Sequence, residues 1–268
     1  AFMQGYLRIS SNRNGDPNSP QSPPTYIIPI VFHIVHDYGG ENISDAQVID
    51  EVRILNLDFR KLNSDTNLIV PSFVGIADDA EIEFRLAALD PNGNCTNGID
   101  RIASSETYVG DDGSKLNYWN RARYLNIWVT KVIGSGAAAY AYLPGGAPSA
   151  STDGIICRSD YVGSIGSGNA LTSRTLTHEI GHFLNLPHVW GFSNTPGVTC
   201  GNDGVTDTPV TKGWTSCNLT TNDVCNNNVV ENVQNYMEYS FCEHMFTNGQ
   251  RARMWTALGS GTGQRNSL

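Results

Sequence analysis

The stretch Thr177-His178-Glu179-Ile180-Gly181-His182-Phe183-Leu184-Asn185-Leu186-Pro187-His188 decides how the rest of this chain is read. His178 and His182 are four apart, so on a helix their imidazoles project from one face and can hold one metal ion, with Glu179 beside them to handle protons. His188 lies six residues further on and cannot share that face, so the chain must turn between them. Asn185 supplies the turn, because Asn tolerates the left-handed conformation at a helix end, and Pro187 keeps the helix from resuming. Three neutral imidazoles hold Zn²⁺ and leave one coordination position open, where a bound water has its pKa lowered to about 7. Glu179 is then a base and not a ligand: it takes a proton from water attacking a carbonyl and passes it to the leaving amine. The competing reading is an amphipathic helix carrying surface histidines, and it does not account for a third His at this offset.

Outward from that stretch, 268 residues with 40% hydrophobic content are enough to bury a substantial core. The formal net charge is −9 and no Lys/Arg run occurs, which argues against nucleic acid or an anionic membrane as the main partner. No run of 18 apolar residues is present, so no transmembrane helix is expected. The chain starts at Ala1 without a basic-then-apolar leader, which reads as a processed or trimmed form. The six cysteines show no C-x-x-C pairing, and disulfides in an extracellular setting are the natural reading. The four between Cys200 and Cys242 allow three connectivities.

Residues 1 to 25 read as a linker or pro-segment remnant, polar and proline-rich from Ser10 to Pro24. Ile27 to Val35 reads as a strand buried on both faces. Ser44 with Gln47 makes a capping box, and Val48, Val52, Leu55, Phe59 and Leu62 then recur at helical spacing. Strands are expected over Ile82 to Leu89, Tyr124 to Val132 and Asp153 to Arg158, an alternation with helix that suggests an α/β layer. After His188 the composition turns to Asn, Thr, Asp, Gly and Cys, a region that a core alone cannot hold. Within it, Asn202, Asp203, Val205, Asp207 and Thr208 surround a Gly turn, an oxygen-rich loop suited to Ca²⁺ although not spaced as an EF-hand. Thr247 with Gln250 caps a closing helix to about Leu258, and the Gly/Ser tail beyond it is expected to fray.

The pattern H-E-x-x-H-x-x-N-x-x-H resembles the extended zinc signature of the metzincin endopeptidases, with Asn185 where most members have Gly. Asn235-Tyr236-Met237-Glu238-Tyr239 is similar to their Met-containing turn, and Cys242-Glu243-His244-Met245-Phe246-Thr247-Asn248-Gly249-Gln250-Arg251-Ala252-Arg253-Met254 resembles the closing helix entry of one branch, the pappalysins. The likeness spans about residues 26 to 258. It implies an α/β (α+β) catalytic unit: an upper subdomain over 26 to 188 with a twisted mixed five-stranded sheet and two long helices, and an irregular, disulfide-bonded lower subdomain over 189 to 268. It further implies a secreted, monomeric zinc endopeptidase, with protein or peptide substrates lying extended along an edge strand at Ala139, Tyr140, Ala141 and Tyr142. Met237 would form an apolar base below the zinc, and Tyr239 would ligate the resting metal or bond the tetrahedral intermediate. The resemblance also supports calcium in the 202 to 208 loop, pairs Cys200 with Cys225 and Cys217 with Cys242, and leaves Cys95 and Cys157 for a third bridge. Bacterial members prefer Arg or Lys just after the scissile bond, matched by an acid beyond the Met, but Ser240 and Phe241 occupy a shorter stretch here. The rival reading is a catalytically silent zinc- and calcium-stabilised extracellular binding module. Glu179 counts against it, since a structural zinc site has no use for that carboxylate. A zinc amidase for a small molecule fits an edge strand and long cleft less well.

Overall fold

The computed structural model describes residues 23–221 and 223–268. The linker expected over 1 to 25 therefore lies almost wholly outside the described residues. At the centre runs β1 (Tyr26–His36), whose apolar and β-branched side chains are buried on both faces. Ile28, Ile30, Phe32 and Ile34 enter the main core on one face, and Val31 and Val35 enter two smaller clusters on the other. The same period of two continues through β5 (Leu125–Thr130) and β7 (Ile155–Arg158): Ile127, Val129, Ile155 and Cys157 join the main core, and Trp128 and Ile156 the opposite face.

β3 (Ile82–Leu86), β4 (Ile99–Ala103) and β5 all run parallel to β1, β7 runs parallel to β5, and β6 (Ala139–Ala141) pairs antiparallel with β7 at the edge. β3 pairs with Tyr26 to Ile30 of β1, and β4 with Phe32 to His36. Phe32, His33 and Ile34 also pair with β5, so β4 must lie on the far side of β1, end to end with β3. The sheet is thus mixed, as expected, but six strands occupy its five positions. β4 escapes a reading of the sequence because Ile-Asp-Arg-Ile-Ala is short, partly exposed and interrupted by two charges.

α1 (Asp45–Phe59) and α3 (Thr175–Phe183) pack on the main core face through Val48, Val52, Leu55 and Phe59 and through Leu176, Ile180 and Phe183. Only α1 is long, at 15 residues; α3 has nine. Ser44 accepts the Gln47 backbone N–H as a cap, but the reciprocal half of the capping box is absent. Gln47 instead donates its amide to the Ser159 and Val162 carbonyls, tying α1 to the loop before α3. A one-turn helix α2 (Pro71–Val74) precedes β2 (Ala77–Asp78), which pairs antiparallel with β8 (Phe246–Thr247) and joins the two parts of the chain. Between His188 and β8 no helix or strand forms among the described residues, yet Trp190, Tyr236 and Met237 enter the main core.

α4 (Asn248–Leu258) opens with both halves of the Thr247/Gln250 capping box. The tail after it does not fray. Arg265, 1% exposed, makes a two-pronged ion pair with Asp153 and donates to the Phe183 carbonyl at the end of α3. A buried bidentate guanidinium–carboxylate pair is a strong local anchor, and no composition rule for a Gly/Ser tail reveals it.

Candidate active site

α3 delivers His178 and His182 from one face, and the chain then turns through Asn185, whose φ of 74° is the left-handed conformation expected of it. Leu186 donates its N–H back to the Gly181 carbonyl and closes the turn. His188 thereby comes round to the other two, and one ligating nitrogen from each lies within 4.8 Å of the rest.

The hydrogen bonds behind the rings fix their tautomers. Each Nδ1 faces a backbone carbonyl: Tyr236 at 2.7 Å from His178, Leu186 at 2.7 Å from His182, and Ser193 at 3.0 Å from His188. A carbonyl only accepts, so each Nδ1 carries the proton and each Nε2 presents a lone pair. The Nε2 atoms of His182 and His188 are 3.2 Å apart, and that of His178 is buried with no partner. Lone pairs converging in this way repel unless a cation sits among them, and the spacing suits ligands at about 2.0–2.1 Å from one tetrahedral metal. Burial also pushes His182 down to about 4 and His188 down to about 3, and holds His178 well below its usual range, aided by its two neighbours. All three are neutral at pH 7, the form that ligates.

Glu179, 7% exposed, keeps Oε2 without a partner. Burial pushes its pKa up to about 8, against the Ala141 backbone N–H, which favours the carboxylate. A dication at the histidines would act in the same direction as that N–H. Tyr239 packs edge-on to His188 at 4.8 Å, and burial, then the Glu179 charge, lifts its phenol to about 12, so it is a proton donor at neutral pH. These groups line a cleft of about 980 Å³ together with Ala139, Tyr140, Ala141 and Phe192. The Ala138 carbonyl accepts from Arg158 in the β6–β7 ladder. Antiparallel alternation then turns Tyr140 toward β7 and leaves the backbone groups of Ala139 and Ala141 directed to the open edge.

Of the supporting residues, Trp190 and Asp58 carry no sequence signal of their own, whereas Met237 sits in the Met-containing turn that the sequence displays. Trp190 stacks on His188 with rings 3° from parallel and donates to the same Ser193 carbonyl. Met237 is fully buried, and a Cβ on Gly181 would meet its Sδ at 2.3 Å, so the glycine lets the Met pack directly against α3. Asp58 in α1 accepts from Thr177 at 2.8 Å and from the Tyr236 hydroxyl at 2.9 Å, and pairs with Arg174 at 3.3 Å. It thus holds both the helix bearing His178 and the residue whose carbonyl orients it.

Disulfides join Cys200 to Cys225 and Cys217 to Cys242. The third bridge does not form: Cys95 is exposed on a loop after β3 and Cys157 is buried in β7 facing the main core. In the oxygen-rich loop, Asp203 Oδ1 accepts from the Val205 N–H and the Thr208 hydroxyl, and its buried Oδ2 has no partner. Asn202 accepts from the Gly204 N–H. Asp207 turns away to cap α4, accepting from the Thr247 hydroxyl at 2.7 Å and the Gly249 N–H at 2.9 Å.

A family model described as Peptidase_M43, pregnancy-associated plasma protein-A, matches residues 92–259. An extracellular metalloprotease of Arthroderma otae is 34% identical over 271 residues, covering 97% of this chain and 87% of that one. A second, from Arthroderma benhamiae, is 32% identical and covers 99% and 84%. Mature mirolysin of Tannerella forsythia, solved in complex with a cleaved peptide, superposes with a TM-score of 0.82 at 37% identity, covering 92% of this chain and 96% of that one.

Proposed function

The chain belongs to the Peptidase_M43 family, that of pregnancy-associated plasma protein-A, and is a metalloendopeptidase; from that premise we propose that it cuts extended polypeptides at a zinc site made by His178, His182 and His188. The observation that carries this is the convergence of three Nε2 lone pairs, with every Nδ1 proton committed to a carbonyl, beside a buried carboxylate at the floor of a cleft. Bound there, zinc supplies Lewis acidity, polarising the scissile carbonyl and lowering the pKa of water at the site.

Glu179 accepts a proton on Oε2 as water adds to the carbonyl carbon. It then returns that proton to the leaving nitrogen, the role a buried carboxylate near neutral pKa suits. Tyr239 donates its hydroxyl to the oxyanion. Met237 bears only a packing role, holding the turn whose Tyr236 carbonyl orients His178. The peptide lies along β6 as an added strand, bonded to the outward groups of Ala139 and the carbonyl of Ala141, whose N–H faces Glu179.

Secretion is supported by the two disulfides and by relatives named extracellular metalloproteases. Calcium belongs to the same proposal, with Asp203 Oδ2 as its anchor, since a buried carboxylate oxygen without a donor is suited to a hard cation; Asn202, the carbonyl of Val205, and Thr208 are the neighbours that would complete it, without the carboxylate of Asp207. A preference for Arg or Lys after the scissile bond would need an acid open to the cleft beyond Met237, and Glu238, 1% exposed, does not line it. The silent binding module is not favoured, because membership of an endopeptidase family accompanies an intact Glu179.

The test is mass-spectrometric mapping of cuts in a diverse peptide library with zinc-loaded wild type and zinc-loaded Glu179→Ala in parallel. Cuts made by the first and lost in the second are expected, a loss of about 10²- to 10⁴-fold in rate. No cuts from zinc-loaded wild type would overturn the endopeptidase reading for this chain, and no enrichment of Arg or Lys after the cut would remove the basic preference alone.

A further inference from the structure

β6 is three residues long, has a neighbour on one side only, and is flanked by Gly134-Ser135-Gly136 before it and Pro144-Gly145-Gly146 after it. Such a strand has little of its own to fix its height and tilt. Something outside the ladder must hold it if a peptide is to pair with its free edge. Ala139 and Ala141 face the main core, but they offer only methyl groups.

The opposite face carries a built-in anchor. Tyr140 and Tyr142 reach from that face to a single carboxylate, Asp112, with the Tyr140 hydroxyl 3.0 Å from Oδ1 and the Tyr142 hydroxyl 2.8 Å from Oδ2. Asp112 opens a short 3₁₀ turn (Asp112–Ser114) that is itself locked by an Asp111/Ser114 capping box. Lys115 follows with no side-chain exposure, and its ammonium lies 2.9 Å from Asp112 Oδ1. The same ammonium sits 4.7 Å from the Tyr140 ring centre and 4.8 Å from that of Tyr142, and donates at 2.8 Å to the Thr152 carbonyl just before β7. One buried cation thus touches β6, the segment that leads into β7, and the carboxylate that binds both phenols. Burial alone would raise Asp112, but the bonds from Lys115 and Tyr142 outweigh it and hold the carboxylate ionised.

We propose that Lys115 and Asp112 form a clamp that positions β6 for substrate, acting from the side of the sheet away from the histidines. They are positioning residues: neither touches the cleft floor, and their effect reaches the peptide through the outward backbone groups of Ala139 and Ala141. This rests on the reading of β6 as the substrate strand. It also accounts for a fully buried lysine in a part of the fold that the chemistry of the site does not otherwise use.

The test uses two fluorogenic peptides that share the residues after the scissile bond. One has four residues before it and the other a single blocked residue. In zinc-loaded wild type the longer peptide is expected to show the lower KM. Lys115→Met is expected to cut the ratio of kcat/KM, long over short, by about tenfold through KM, as the loss of a charged anchor would. Tyr140→Phe with Tyr142→Phe keeps both rings over the ammonium but removes both bonds to Asp112. This pair should move the ratio in the same direction by less, and it takes the place of Lys115→Met if that variant does not fold. An unchanged ratio in a folded variant, or equal losses on both peptides, would overturn the clamp. Equal KM for the two peptides in wild type would instead remove β6 as the substrate strand, and the clamp with it.

Discussion

In the region before His188, buried carboxylates face guanidinium groups: Asp58 is 3.3 Å from Arg174, Asp79 is 3.0 Å from Arg60, and Asp153 is 2.8 Å from Arg265. The buried glutamates are the exceptions: Glu41 accepts from the Asp37 and Gly39 N–H groups, Glu51 from the Gly163 N–H, and Glu179 keeps Oε2 without a partner among the described residues. In the region after His188, Asp203, Glu231 and Glu238 each keep one buried oxygen with no partner among the described residues. The first region has regular strands and a continuous apolar core to hold it, and its buried aspartates are already matched. The second has two disulfides and contributes Trp190, Tyr236, Met237, Phe246 and Met254 to that same core, and three of its buried carboxylates wait for a proton or a cation. The site straddles both: Glu179, itself unmatched, and two histidines come from the first region, while Tyr239 and the carbonyl that orients His178 come from the second.

The sharpest way to divide the chemistry between the two regions is Tyr239→Phe. If the lower region only shapes the cleft, the loss of one hydroxyl should barely register. If it donates to the developing oxyanion, kcat should fall about 10²- to 10³-fold with KM nearly unchanged, the effect of removing one such donor. Stopped assays on zinc-loaded protein, with bound zinc quantified in both forms, distinguish the two; a fall in zinc content matching the fall in rate would assign Tyr239 to metal retention instead.

Cys200→Ser with Cys225→Ser tests the structural half of the comparison. The bridge closes a separation of 25 residues, for which chain entropy alone gives roughly 3 kcal/mol. Hydrogen exchange should show amides of residues 195 to 230 losing protection while those of β1 and β5 keep theirs. Uniform loss across the molecule would mean that the two regions unfold as one unit and that the contrast in their packing has no consequence for stability.

What was legible in the sequence follows the same division. The metal stretch, the turn at Asn185 and the Thr247/Gln250 cap are local: each is stated by residues a few positions apart, and each is found where the spacing places it. The supports are not local. Asp58 meets Tyr236 across 178 positions, Arg265 meets Asp153 across 112, and Gln47 leaves its capping box for carbonyls 112 and 115 positions away. No periodicity encodes such pairs, because they depend on which loops the fold brings together. Cys157 shows the same point in reverse: an even cysteine count invites a third bridge, but the position faces the core from mid-sheet while Cys95 sits on an exposed loop.

The smallest expected effect concerns Glu238 and sharpens the contrast in charge matching. Burial pushes its folded-state pKa up to about 8 from an ordinary 4.5, against bonds from the Trp214 and Tyr239 N–H groups. An acid raised in the folded state binds more protons folded than unfolded between those two values. Stability therefore falls as pH rises through that window and levels off above it. Glu238→Gln keeps an oxygen for both N–H donors and cannot ionise, so melting temperatures measured from pH 5 to 8.5 should fall less steeply in the variant than in wild type. Calcium or another cation held at Glu238 would flatten the wild-type slope when added and leave the variant unmoved. Parallel slopes in metal-free protein would mean that the carboxylate is already matched, and the difference between the two regions would then reduce to packing alone.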